Sequence, residues 1–203
     1  MIRVLLFLGW ALAVNVAVAQ CGPNWSAGLE RYWAKIDSAY RDTLHSPLPV
    51  AERKGFTVLP RFTPDPAFCI EARFEARDGE VFGMRTTSDR EPKYQSVGTL
   101  HFQIGNTPEQ LTVYRNIDLS RLPDYKNYLF VPFTDLTNDE TTYGGGRYLD
   151  LEGPLGLEVT LDFNKAYNPY CAYGGRYSCP IPPLENHLAV AIPAGVLKHP
   201  GHP

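Results

Sequence analysis

The sequence predicts a mainly β fold, an antiparallel barrel or sandwich of about eight or nine short strands behind one N-terminal amphipathic helix. Three observations carry that reading. Apolar residues alternate with polar ones through Phe68–Ala76 and again through Leu157–Phe163, which is the two-residue period of a half-buried strand. Seventeen glycines and 18 prolines punctuate the chain at short intervals, as turns between short strands require. Only one stretch, Trp25, Leu29, Tyr32, Ile36 and Tyr40, spaces its apolar residues by three and four, so one helix is expected.

The first element is a leader. Arg3 precedes an apolar run from Val4 to Val14, interrupted by Asn15 and followed by Ala17-Val18-Ala19. The run is short for a bilayer span, and the small residues form a cleavage site, so residues 1–19 read as a signal peptide cut between Ala19 and Gln20. Export to a periplasmic or extracellular space is expected, with no stable membrane span in the mature chain. Residues 20–203 then form one domain: a helix over about 24–45, strands over about 55–193 and a flexible tail over 197–203.

Asn24 is placed to cap the helix, with Glu30, Lys35, Asp37 and Arg41 off its apolar stripe. Pro47 and Pro49 stop it near Ser46. The first strand puts Phe68, Ile70, Ala72, Phe74 and Ala76 on its inner face. Asp78-Gly79 reads as a tight hairpin turn into a returning strand over 80–87. Strands over 96–104 and 110–117 form a second hairpin about Gly105-Asn106. A buried strand is expected over 128–133, a pair over 147–151 and 157–163, and a last strand through Leu188, Val190 and Ile192.

A net charge of −3, a pI near 5.9 and the lack of any Lys/Arg run exclude nucleic acid as a partner, because phosphate binding needs clustered cations. The four cysteines, Cys21, Cys69, Cys171 and Cys179, form an even set in an exported chain, so disulfides come first. Three pairings exist. Cys171 with Cys179 closes a short loop and leaves Cys21 with Cys69.

Long, compositionally unusual motifs fill the C-terminal third. They are Phe133-Thr134-Asp135-Leu136-Thr137, Thr141-Thr142-Tyr143-Gly144-Gly145-Gly146-Arg147-Tyr148-Leu149-Asp150, and Leu161-Asp162-Phe163-Asn164-Lys165-Ala166-Tyr167-Asn168-Pro169-Tyr170-Cys171, followed by Cys179-Pro180-Ile181-Pro182-Pro183-Leu184-Glu185-Asn186 and Ala191-Ile192-Pro193-Ala194-Gly195. With Ser46-Pro47-Leu48 and Phe56 upstream, this chain resembles the bacterial and archaeal domain of unknown function 1684 family over most of its mature length. It departs where the family has an acidic residue and a lysine after the final Ala-Gly, since Val196-Leu197-Lys198 stand there. The resemblance carries no activity, substrate or catalytic residue with it. It also implies that relatives without leaders keep the two C-terminal cysteines, which speaks against a disulfide as their sole purpose.

Two segments concentrate polar groups. In the first, Asp135, Glu140, Thr141 and Tyr143 precede three glycines and Arg147, where backbone amides and a two-pronged guanidinium would suit an anion. The plainer reading is a wide loop in which Arg147 pairs with Asp135 or Glu140. The second holds Asp162, Asn164, Asn168, Tyr170 and Asn186, either ligand groups or side chains that close turns. A metal held by Cys171 and Cys179 with Glu185 or His187 is an alternative, but their spacing matches no usual zinc pattern. No cofactor is expected. Neither cysteine lies in a cysteine-hydrolase signature, and no Gly-x-Ser-x-Gly turn is present. The expected function is a small-molecule binding or structural domain, with an anionic ligand favoured. Two further readings are a hydrolase using Asp135, Glu140 or Asp162 beside Arg147, and a purely structural envelope protein.

Overall fold

The computed structural model describes residues 21–42 and 44–200; the leader and its cleavage site lie outside them. Helix α1 spans Trp25–Arg41 and a single turn, α2, spans Val50–Arg53. Seven strands follow: β1 Cys69–Ala76, β2 Val81–Gly83, β3 Lys93–Ile104, β4 Thr107–Asn116, β5 Tyr128–Phe133, β6 Arg147–Glu152 and β7 Glu158–Asp162. They form one antiparallel sheet in the order β6-β5-β4-β3-β1-β7, with β2 also on β3. The sheet is a half-barrel, since β6 and β7 stand at its two open ends. Among the described residues, no helix is long and apolar enough to cross a membrane.

The β3–β4 hairpin turns at Gly105-Asn106 with Ile104 opposite Thr107, and Gly105 takes φ +58° there, as a two-residue turn requires. The other hairpin expectation fails. Both β1 and β2 run antiparallel to β3, Ala76 pairing with Gly98 and Val81 with Gln95. Asp78-Gly79 is therefore a jog in one long edge rather than a reversal. It sits opposite the β3 irregularity between Ser96 and Gly98, where Gly79 N donates to Ser96 O and Gln95 Nε2 to Gly79 O. An extra residue on one strand displaces its partner in this way. Nor do β6 and β7 pair: β6 lies on β5 and β7 on β1.

The main core lies on one face of the sheet, from Ile70, Ala72, Phe74, Leu100, Leu111, Val131, Phe133, Leu149, Leu161 and Phe163. Leu188, Ile192 and Ala194 complete it, but as coil rather than as the expected last strand. Leu188 N donates to Thr134 O and Leu136 N to Val190 O, after which Ile192 N turns to the Asp135 carboxylate instead of a neighbouring carbonyl. The alternating burial is strand-like; the ladder ends because a side chain takes the next rung.

Helix α1 buries Leu29, Trp33, Asp37 and Tyr40. Asp37 belongs to the buried face, against the sequence expectation. Its carboxylate accepts from Arg61 Nη2 at 2.7 Å and from Leu59 N at 2.9 Å, partners distant in sequence. The helix ends at Arg41, short of Ser46, because the Asp42 side chain accepts from Leu44 N and His45 Nδ1 and folds the chain back. Asn24 makes no side-chain cap bond. Leu197 N donates to Pro60 O, Lys198 N to Thr141 O, and His199 pairs with Glu52 at 2.9 Å, so the chain is tied down through His199.

Disulfides join Cys21 to Cys69 and Cys171 to Cys179, with Cα separations of 5.9 and 6.2 Å. These are ordinary spans for the bond, and the pairing is the one the short loop suggests. Two disulfides in a chain of this size are the usage of oxidising compartments.

Candidate functional site

Strand alternation gives β6 two unlike faces. Arg147, Leu149 and Leu151 turn to the main core, so Tyr148 and Asp150 turn the other way. In register with them on β5 stand Pro132 and Phe130, and Phe130 is in turn opposite Tyr114 on β4. Tyr94 on β3 joins the same face. The result is an aromatic platform: Phe130 meets Tyr148 edge to face at 4.7 Å and lies 5.8 Å from Tyr94. Tyr167 stands edge-on to Tyr148 at 5.8 Å, held by reciprocal backbone hydrogen bonds between the two residues.

A cleft of about 690 Å³ lies over this platform. Tyr40 and Ile36 of α1 form one wall, and the 169–180 segment with Tyr170, Arg176 and Tyr177 forms the other. The Cys171–Cys179 disulfide staples that second wall. Asp150 stands in the cleft, with Tyr128 and Tyr167 hydroxyls both donating to its Oδ1 at 2.7 Å. Its Oδ2 accepts nothing from the described residues, and no cation among them pairs with it. Asp150 is exposed to solvent on one side, and the rings beside it displace part of its hydration. Desolvation therefore raises its pKa, against the lowering effect of the two tyrosine hydroxyls. Burial likewise raises Tyr128, Tyr148 and Tyr167 above the ordinary phenol value, so their hydroxyls stay protonated donors.

The residue pattern of this domain is shared. A family described as protein of unknown function (DUF1684) matches residues 54–197. The chain belongs to that family. The matched segment contains all seven strands and the platform, while α1 lies before it. An uncharacterised protein of Haloarcula marismortui, solved by solution NMR, is 36% identical with a TM-score of 0.68, covering 88% of this chain and 97% of its own. Among curated proteins none matches.

The two polar segments of the sequence occupy other places. Arg147 is fully buried: Nη2 donates to Asp135 Oδ2 at 2.7 Å and to Ile192 O at 2.9 Å, and Nη1 donates to Ala194 O. Of the two partners the loop offers Arg147, Asp135 is the one it takes, while Glu140 and Thr141 lie exposed. The Tyr143 carbonyl is held by Asn138 Nδ2 at 2.8 Å. Asp162 accepts from Trp25 Nε1 and with Asn164 fastens α1 and residue 65 to the sheet edge. Asn168 Nδ2 donates to Leu197 O, leaving its buried Oδ1 without a partner among the described residues. Asn186 bridges β4 and β5, accepting from Thr112 N and donating to Thr112 O and Pro132 O. Of these ten residues, only Tyr170 lines the cleft.

The cysteines offer a metal no thiolate, since all four are in disulfides. Glu185 accepts from the Tyr114 hydroxyl and His187 bonds Thr134, so neither turns to Cys171. Asp162 lies within 4.8 Å of the Cys21 and Cys69 sulfurs, which the closed bond likewise commits. Sequence reasoning passed over Asp150, Tyr128, Tyr148 and Tyr167. The available signal was the alternation of Tyr148 and Asp150 with Arg147 and Leu149, which sends a carboxylate to an aromatic face.

Proposed function

We propose that the mature chain is an exported small-molecule binding domain whose site is the aromatic cleft over β4, β5 and β6. One observation carries the reading: a carboxylate in a tyrosine-lined cleft, oriented through one oxygen by two hydroxyls, with its other oxygen turned to no donor among the described residues. The cleft's size is that of small-molecule sites, which pair apolar walls with a few fixed polar groups. Its preorganisation is costly to keep without use. Tyr128 and Tyr167 hold a partly desolvated carboxylate in one orientation, at the expense of two hydroxyls that water could otherwise satisfy. Export rests on the leader, Arg3 with the 4–14 apolar run and Ala17-Val18-Ala19, and accords with the disulfides.

The test is a protein-observed NMR screen of the mature chain, residues 20–203, against a mixed small-molecule library of cations, anions, sugars and aromatic acids. The expectation is that hits shift the Asp150 and Tyr167 resonances, and that Asp150→Lys, which fills the cleft with its own cation, abolishes them. A library that shifts nothing in the cleft, or hits indifferent to Asp150→Lys, sinks the proposal. N-terminal sequencing of the exported protein should begin at Gln20; retention of residues 1–19 would overturn the leader assignment.

A further inference from the structure

Resting on the cleft reading, we infer that the ligand is a small organic ammonium ion, seated against the Asp150 carboxylate and the faces of the surrounding tyrosine rings. The charge pattern points there. Asp150 has no ion-pair partner among the described residues. The two cations lining the cleft are engaged on its outer wall: Arg90 donates to Ser178 O at 3.2 Å, and Arg176 donates to Ser46 O at 2.9 Å while stacking on Tyr177 at 4.9 Å.

The hydroxyl inventory sharpens the class. Tyr148 donates to Pro180 O, and Tyr128 and Tyr167 donate to Asp150. These three phenols therefore have no hydroxyl proton left to offer a ligand, and Tyr128 and Tyr167, half-buried, leave part of their rings uncovered. A sugar would need a spread of donors and acceptors in the plane of its hydroxyls, and these residues do not offer one. A cation needs aromatic rings and a counter-charge, and the cleft is lined by Tyr128, Tyr148, Tyr167 and Tyr170 around Asp150. Partial desolvation strengthens the attraction, because water competes less for either partner.

Isothermal titration of the mature chain with choline and with 3,3-dimethylbutan-1-ol separates charge from shape, since the two are nearly isosteric. Choline should bind, and the neutral alcohol should bind about tenfold more weakly or worse. Asp150→Asn keeps an acceptor for both tyrosine hydroxyls and should weaken choline by about tenfold while leaving the alcohol unchanged. Tyr170→Leu, at an exposed position on the cleft wall, guards against a folding artefact and should also cost choline more than the alcohol. Equal affinity for the two probes overturns the cation inference but leaves an apolar binding cleft. Binding of methyl glucoside with choline silent does the same. If no probe binds and the NMR library also leaves the cleft unshifted, both readings fall together.

Discussion

Arg147 and Asp135 face each other at 2.7 Å, both side chains wholly removed from solvent. The pair ties β6 to the loop after β5, and Nη2 and Nη1 also donate to the Ile192 and Ala194 carbonyls of the C-terminal coil, while the buried Nε has no partner among the described residues. Burial pulls the guanidinium below its ordinary pKa, and Asp135 offsets only part of that. Arg147→Met should leave a buried carboxylate unpaired and cost about 3–5 kcal/mol. Urea unfolding of the purified variant measures it; a loss below about 1 kcal/mol, within the range of an exposed pair, would show that the pair is not closed in solution.

Asn186 replaces missing rungs between two strands. β4 and β5 share a single register pair, Tyr114 with Phe130, and Pro132 has no N–H to give. The Asn186 amide bonds both strands with three hydrogen bonds of 2.8–2.9 Å. Asn186→Leu orphans those backbone groups and should cost about 2–3 kcal/mol. Hydrogen exchange at the Thr112 amide should quicken in step with the lost stability, and an unchanged rate would refute the role.

Asp150 makes stability depend on pH in an unusual direction. Its folded pKa is raised, so the native state holds its proton at pH values where the unfolded chain has released it. Its contribution is therefore present below about pH 4 and is lost as pH rises through the folded pKa. The groups facing it are the Tyr128, Tyr148, Tyr167 and Tyr94 phenols, with Arg90 and Arg176 on the cleft wall; burial raises all four phenols, so none of them titrates in that window. Relative to Asp150→Asn, the wild type should lose stability between pH 4 and neutrality. Paired thermal melts across that range check it, and a constant difference would mean that the carboxylate is no more desolvated than in the unfolded chain.

The two disulfides should differ in worth. Cys21–Cys69 spans 48 residues and Cys171–Cys179 spans 8. By loop-closure entropy the longer bridge contributes about 4 kcal/mol and the shorter about 2.5. Serine pairs at each bridge, compared by urea unfolding, should fall in that order. The reverse order would show that the Cys21 bridge closes a loop already restrained in the unfolded chain. Intact mass of the unreduced protein should lie about four protons below the reduced value.

Periodicity carried the sequence reading far. The Phe68–Ala76 alternation, the Gly105-Asn106 turn and the α1 stripe all name real elements, because each depends on neighbours within a few residues. The failures depend on partners far along the chain. Asp78-Gly79 has the composition of a hairpin turn, yet what it does is set by the irregularity in β3 between Ser96 and Gly98. Asp37 reads as solvent-facing until Arg61 and Leu59 arrive beside it. Polar density drew attention to Asp135–Arg147, where buried backbone needs side-chain partners. The cleft instead comes from tyrosines on four different strands and loops, and their convergence follows from strand register, which one chain's composition does not display.

The C-terminal coil has a consequence for how this protein is made. Residues 188–196 insert Leu188, Ile192, Ala194 and Val196 into the interior and supply the carbonyls that Arg147 requires. A nascent chain stopped before Ile192 would hold a guanidinium without either of its carbonyl acceptors and a core open along one side. The sheet can therefore reach its final form only after nearly the whole polypeptide has emerged.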